Sequence, residues 1–119
     1  MDALKSLQAE LATFATERDW DQFHTPKNLA MALSGEAGEL LERFQWLTPE
    51  QSERNELSSE ALQAIEEEMA DVLLYLVRLA DRLNVNLATV AQAKLQRNAE
   101  KYPVNEAKGN AVKYSRRNE

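Results

Sequence analysis

Leucine and aromatic residues recur every three or four positions along most of this 119-residue chain. At about 100° per residue, side chains at that spacing share one face of a helix. Leu4, Leu7, Leu11 and Phe14 show the pattern first, which predicts an amphipathic helix over residues 3–17. The periodic stretches that follow predict three more helices, at 26–46, from a cap at Ser58 or Ser59 to about 83, and at 87–101.

Turn-forming residues mark the ends of these predicted helices. Thr25 precedes Pro26, a pair typical of a helix N-cap and first turn. Asn86 can cap the fourth helix in the same way, and Pro103 marks its end. A polar loop around Thr48 separates the second helix from the third.

The third predicted helix contains the run VLLYLVRLA, which is apolar nearly all round. One neighbouring helix cannot cover such a surface, so we expect a central position in a bundle or a subunit interface. Glycine and proline are rare, with three of each, and the abundant alanine, leucine and glutamate favour helices. The sequence predicts an all-α four-helix bundle that assembles as a homo-oligomer, a homotetramer of two dimers or else a dimer.

The chain carries a net charge of −6 and no cysteine. This charge argues against the basic surface that duplex nucleic acid requires, so no nucleic-acid partner is expected. No run of about 18 apolar residues is present, and no apolar core of a secretion signal precedes the first helix. We therefore expect a cytoplasmic protein with no membrane partner, composed of one domain at residues 1–104 and a basic tail at 105–119.

Two pairs of acidic residues lie on the second and third predicted helices. Glu36 and Glu39 form the first pair, and Glu68 and Asp71 form the second. Residues three apart on a helix are neighbours on one face, so each pair can reach a single point. Leucines at helical spacing flank Glu36, and Ile65 with other apolar residues brackets Glu68, so the sequence places both carboxylates within apolar stripes.

Burying these acids has a chemical consequence. A buried carboxylate is costly unless it gains a proton, a basic partner or a metal ion. Four converging acids with few cations nearby favour the metal, and ligation by oxygen alone selects a hard ion, Mg²⁺ with Mn²⁺ as a possible substitute. The only histidine, His24, lies beside a proline turn, where a loop hydrogen bond is a more common role than catalysis.

Several motifs in a fixed order carry a resemblance to a known family. They are ERDWDQFHTPKNL, GEAGELLERFQW, EEEMADVLLYLVRLA and NAEKYP followed by G-x-x-x-KY. In this order they resemble the all-α nucleoside triphosphate pyrophosphohydrolases typified by MazG, whose pattern is E-x-x-E, a spacer and E-x-x-D. Within that family the chain is most similar to the dCTP pyrophosphatases. The resemblance extends from about Glu17 to Tyr114.

This resemblance implies an activity and a set of site residues. The reaction would be Mg²⁺-dependent hydrolysis of dCTP, or of a related or modified pyrimidine nucleotide, between the α and β phosphates, giving the monophosphate and pyrophosphate. All four acids would hold the metal, and Glu36 or Glu39 would activate the water, Glu36 being favoured because its apolar neighbours raise its basicity. The implied substrate-binding residues are aromatic side chains for the base and polar side chains for the phosphates: Trp20, Trp46, Tyr75, Lys94, Asn98, Lys101 and Tyr102.

Other functions remain compatible with parts of the pattern. Gly35 stands where MazG relatives often have a glutamate, which leaves four carboxylates for the metal. Leu11 stands where mammalian dCTP pyrophosphatases have a histidine, so the base preference stays open between dCTP, dUTP and a broad range. A phosphoribosyl-ATP hydrolase lacks the tryptophan-bearing motifs. A non-catalytic helical interaction module would use the acids only to pair with a basic partner. A di-iron bundle would need Glu-x-x-His pairs, which this sequence lacks.

Overall fold

A computed structural model describes residues 2–116. At Tyr114 the description covers only the backbone. Within these residues the chain forms α-helices, short 3-10 turns and no β-strand, which confirms the all-α prediction. The helices are α1 (Ala3–Glu17), α2 (Pro26–Glu42), α3 (Ser59–Arg82), α4 (Leu87–Lys101) and the short α5 (Val104–Ala107). The 3-10 turns are Asp21–Phe23, Arg54–Glu56 and Tyr114–Arg116.

The predicted caps are present at the starts of α2, α3 and α4. Thr25 accepts a hydrogen bond from the backbone N–H of Asn28 at 3.1 Å. Ser58, rather than Ser59, caps α3 by accepting from the N–H of Ala61 at 3.1 Å, and Asn86 caps α4. Each side chain satisfies a backbone donor that has no partner inside the helix, which fixes where the helix begins.

Helix α2 ends earlier than the sequence predicts. Its last residue is Glu42, so the prediction that it continues to Trp46 is wrong. Beyond Glu42 the backbone tightens into bonds between residues three apart, such as the Phe44 N–H to Leu41 carbonyl bond at 2.9 Å. The apolar pattern runs on through this turn, and periodicity alone therefore could not reveal the change in backbone geometry.

The chain divides into two compact units, Met1–Val85 and Asn86–Glu119. In the first unit α3 packs along both α2 and α1. Its core is made of small and branched apolar side chains, Ala15, Leu29, Ile65, Val77 and Ala80. The second unit contains α4 and α5, which are joined by a turn at Tyr102 and Pro103.

Large apolar side chains of α2 and α3 remain exposed in the single chain. Met31 and Leu41 on α2 and Met69, Leu73 and Leu76 on α3 belong to this group. Their exposure agrees with the apolar character of α3 on nearly all sides, since two neighbouring helices leave part of its surface uncovered. No helix in the described part of the chain is long and apolar enough to cross a bilayer.

Candidate active site

Three carboxylates meet where α2 packs against α3. Each of Glu36, Glu39 and Glu68 offers one oxygen, and these oxygens lie within 4.8 Å of one another. Glu36 and Glu39 are one turn apart on α2, so they reach the same point. Helix α3 brings Glu68 to that point, although Glu68 lies 29 positions after Glu39 in the chain. The structure therefore joins the two acid pairs that the sequence singles out, through three of their four members.

Two oxygens of this cluster are buried without a partner. Glu36 Oε2 and Glu68 Oε2 have no hydrogen-bond partner among the described residues. Leaving a buried acceptor unsatisfied costs about 1–3 kcal/mol, and more for a charged group. A hard divalent cation bound by carboxylate oxygens would satisfy both atoms, so the residues present fit such an ion.

Arg43 supplies the one cation paired with this cluster in the described residues. Its Nη2 lies 3.3 Å from Glu68 Oε1, and its side chain is 48% exposed. An ion pair so open to water contributes little to stability. Arg43 therefore leaves most of the negative charge of the cluster uncompensated.

The crowding of acids changes the protonation of Glu36. Its pKa is raised to about 7, first by a hydrogen bond shared with Glu39, then by burial, and then by the charges of Glu39, Asp71 and Glu68. Like charges at this separation cannot all ionise cheaply, so Glu36 retains a proton that an isolated glutamate would lose. In the absence of a cation, Glu36 therefore holds a proton over part of the pH range near neutrality.

Asp71 connects the acid cluster with a neighbouring cavity. It lies one turn beyond Glu68 on α3, outside the group of oxygens within 4.8 Å. Its charge nevertheless acts on Glu36, and its side chain lines a cavity of about 230 Å³. The cavity wall is mostly aromatic and aliphatic, formed by Leu11, Phe14, Ala15, Trp20, His24, Asp71, Leu74, Tyr75 and Arg78.

Arg78, which lines this cavity, is the centre of a partly buried hydrogen-bond network; its own side chain is only 6% exposed. Its Nη1 donates to Asp81 at 3.0 Å and its Nη2 to Asp21. Its Nε donates to Nδ1 of His24 at 3.0 Å. Gln8 on α1 donates to the other oxygen of Asp81 at 2.8 Å. The network thus connects α3 with α1 and with the turn that precedes α2.

Sequence reasoning missed this network. Arg78 interrupts an apolar run, and Asp81 follows it by three positions, which was the available signal. The partners Asp21 and His24 are more than 50 positions away along the chain, so no local pattern could pair them with Arg78. Burial and the charge of Arg78 lower the pKa of His24, which keeps its imidazole neutral near pH 7.

The remaining predicted site residues occupy different places. Trp20 and Tyr75 line the cavity. Trp46 lies in the turn after α2, is 86% exposed and does not line the cavity. The four predicted phosphate contacts belong to the second unit, where their spacing places three of them on one face of α4 and the fourth at its C-cap: Lys94, Asn98, Lys101 and Tyr102.

The chain is similar to a known protein family and to several named relatives. The sequence pattern of the MazG-like family matches residues 31–116. The chain is 44% identical over 115 residues to dCTP pyrophosphatase 1 of Bos taurus and 43% identical to that of Homo sapiens, in each case across 97% of this chain and 66% of the relative. It therefore spans about two thirds of the length of these relatives.

A solved structure also resembles this one. A pyrophosphatase from Archaeoglobus fulgidus superimposes with a TM-score of 0.78 at 39% identity, covering 87% of this chain and 94% of that protein. The likeness thus extends over the helical fold as well as the motifs. Because the family pattern matches well over half of the residues, this chain belongs to the MazG-like family.

Proposed function

We propose that this protein hydrolyses a nucleoside triphosphate between the α and β phosphates, releasing the monophosphate and pyrophosphate, with dCTP or a modified pyrimidine deoxynucleotide as the preferred substrate. The observation that carries the proposal is the pair of buried, unsatisfied oxygens on Glu36 and Glu68. They lie in an acid cluster next to Asp71, whose charge acts on Glu36 and whose side chain lines an aromatic cavity. Relatives named dCTP pyrophosphatase 1 support the choice of base.

In this proposal the acids hold Mg²⁺, or Mn²⁺ in its place. Glu36, Glu39 and Glu68 supply oxygens within 4.8 Å of one another, and Asp71 completes the set from the next turn of α3. The bound ion would neutralise phosphate oxygens and lower the pKa of a water molecule. The chain's own task in this proposal is to hold the four carboxylates in place before the substrate arrives. The meeting of three of them where α2 packs on α3 supports that role.

Glu36 is the proposed general base, with Glu39 as its partner. A base works best when its pKa lies near the working pH, because it then both accepts and releases the proton. In the metal-free protein the crowding around Glu36 raises its pKa to about 7, largely through Glu39, so Glu36 is more basic than an ordinary glutamate. Bound Mg²⁺ would keep Glu36 ionised, and this carboxylate is proposed to orient the attacking water and take its proton.

The substrate's base would enter the aromatic cavity. Trp20 and Tyr75 provide flat apolar surfaces there, and stacking a base on such a ring is worth about 1–3 kcal/mol. Trp46, which is almost fully exposed, is proposed to reach the base from its turn in the assembled protein. For the phosphates the proposed contacts are the residues of α4 and its cap, Lys94, Asn98, Lys101 and Tyr102.

We propose that residues 1–104 form a four-helix-bundle subunit and that the subunits assemble as a homotetramer of two dimers, or as a dimer. The exposed apolar side chains of α2 and α3, including Leu73 and Leu76, support an association that covers them. The basic residues 105–119 form the tail, and the proposed setting is the cytoplasm. Neither nucleic acid nor membrane is a proposed partner.

The function is tested by pyrophosphate release from a panel of common and modified nucleoside triphosphates, with Mg²⁺ and with EDTA. We expect release with Mg²⁺ only, and the highest kcat/KM for dCTP or a modified form of it. A broad-specificity hydrolase would show similar values across the panel, and a dUTP-preferring enzyme would favour uracil. If no nucleotide releases pyrophosphate and no Mg²⁺ binds, the acids act in a helical interaction module instead.

Arg43 offers a test of the metal site that needs no nucleotide. Replacing it with glutamine is expected to raise the Mg²⁺ affinity about two- to fivefold, because the ion no longer competes with a partly exposed guanidinium for Glu68. Isothermal titration calorimetry on the nucleotide-free protein measures this affinity. Arg54→Gln, in the exposed loop between α2 and α3, is the matched control and should leave it unchanged. An unaltered affinity in Arg43→Gln would contradict the competition.

A further inference from the structure

The imidazole of His24 is held in one protonation pattern by its neighbour. Nδ1 lies 3.0 Å from Arg78 Nε, and a guanidinium nitrogen donates a hydrogen bond and never accepts one. Nδ1 must therefore be the acceptor and carry no hydrogen. In a neutral imidazole the hydrogen then resides on Nε2, and the lowered pKa of His24 keeps the ring neutral.

Arg78 cannot readily release this constraint. Its side chain is 6% exposed, and its two terminal nitrogens donate to Asp21 and Asp81. Gln8 fixes Asp81 in turn. A flip of the His24 ring, or a shift to the other tautomer, would leave the Arg78 Nε–H without an acceptor inside the protein, which is costly.

Among the residues that the structure describes, the His24 ring accepts its hydrogen bond at Nδ1, from Arg78, which leaves Nε2–H to donate elsewhere. His24 nevertheless lines the aromatic cavity, with its ring 6.1 Å from that of Trp20 at an angle of 60°. The imidazole that lines the cavity therefore carries its hydrogen-bond donor on Nε2, because Arg78 occupies Nδ1.

We propose that His24 Nε2–H donates a hydrogen bond to ring nitrogen N3 of a cytosine base in this cavity, an inference that rests on the proposed function. N3 of cytosine is an acceptor, whereas N3 of uracil or thymine carries a hydrogen and donates. A fixed donor therefore accepts cytosine and leaves two facing N–H groups unpaired with the other pyrimidines, the kind of mismatch that gives large discrimination. The hydroxyl of Tyr75 can donate or accept, so it cannot make this distinction.

The roles of the two residues differ. His24 contacts the base and determines specificity, whereas Arg78 is a positioning residue that acts through His24. A purely structural His24 would also bind Arg78, but its loss would affect all nucleotides alike. The ratio of activities on cytosine and uracil substrates is therefore the readout that separates recognition from packing.

The first experiment is nuclear magnetic resonance on the ¹⁵N-labelled wild-type protein. His24 is the only histidine of the chain, so its two ring nitrogens are identified without assignment work. We expect the Nε2–H tautomer alone at neutral pH. Addition of dCMP should shift the Nε2–H signal, whereas dUMP should leave it in place. An Nδ1–H tautomer, a charged ring, or equal responses to dCMP and dUMP would overturn the inference without any variant having to fold.

The second experiment compares His24→Phe with wild type on dCTP and dUTP. We expect kcat/KM for dCTP to fall about tenfold, as for loss of one hydrogen bond, mainly through KM, and the dCTP-to-dUTP ratio to fall by the same factor. Leu74→Val alters the same cavity without a polar group and should change both substrates equally. Equal losses in His24→Phe would overturn the inference alone, whereas a wild type inactive on every nucleotide would overturn the proposed function and this inference with it.

Discussion

Glu68→Gln is expected to lower kcat by roughly two orders of magnitude or more at saturating Mg²⁺, while the fold survives. Residues that merely support a metal ligand typically contribute 10- to 100-fold, so loss of a proposed ligand should cost at least as much. The glutamine keeps the shape of the side chain but removes one charge from the cluster with Glu36 and Glu39. Single-turnover and steady-state pyrophosphate release measure the effect.

The stability of the same variant distinguishes a lost ligand from a damaged fold. Glu68 has one buried oxygen without a partner and one weak, half-exposed ion pair with Arg43. Removing its charge relieves repulsion at little cost, so the Tm of the metal-free variant should equal or exceed that of wild type. The adjacent and exposed Glu67 gives the control, Glu67→Gln, which should retain full activity. Normal turnover in Glu68→Gln would remove Glu68 from the metal site.

The pairing of acids on one helix could be predicted from the sequence, because the spacing of residues on a helix depends only on nearby positions in the chain. Three-residue separation on a helix was enough to pair Glu36 with Glu39, and the caps at Thr25 and Asn86 were visible as single residues before apolar runs. The meeting of Glu36 and Glu68 was supported by their positions within apolar stripes and by the family resemblance. Their actual separation depends on how α2 packs on α3, which periodicity does not encode.

The rest of the site depends on contacts between distant segments. Arg78 looked like an interruption of an apolar run, yet it is buried because Asp21 and Asp81 supply its counter-charges. His24 was interpreted as a loop hydrogen-bonder, and its partner proved to be that same arginine. Trp46 was expected on an extension of α2, but the helix ends at Glu42 and leaves the indole exposed. Whether these side chains are buried, paired or exposed depends on which groups lie beside them in the folded chain.

Metal-free protein is expected to lose stability as pH rises from about 5 to 8, and Glu36→Gln is expected to remove that loss. The folded-state pKa of Glu36 is raised from 4.5 to about 7. Between these values the folded state holds a proton that the unfolded chain has released, so the free energy of unfolding falls with increasing pH. Protonated Glu36 therefore contributes fully to the free energy of unfolding below about pH 4.5. This contribution is lost as the pH rises through about 7. Calorimetric Tm values in EDTA measure it, with exposed Glu42→Gln as the control.

The same proton should couple metal binding to pH. A carboxylate must be ionised to bind a cation, so metal binding releases the proton held by Glu36. Below pH 7 the apparent Mg²⁺ affinity should therefore fall about tenfold for each pH unit, the slope of a single linked proton. Titration calorimetry in buffers of different ionisation enthalpy counts the protons directly. We expect close to one released at pH 6 and almost none at pH 8, and a count of zero at pH 6 would show that Glu36 is ionised before the metal binds.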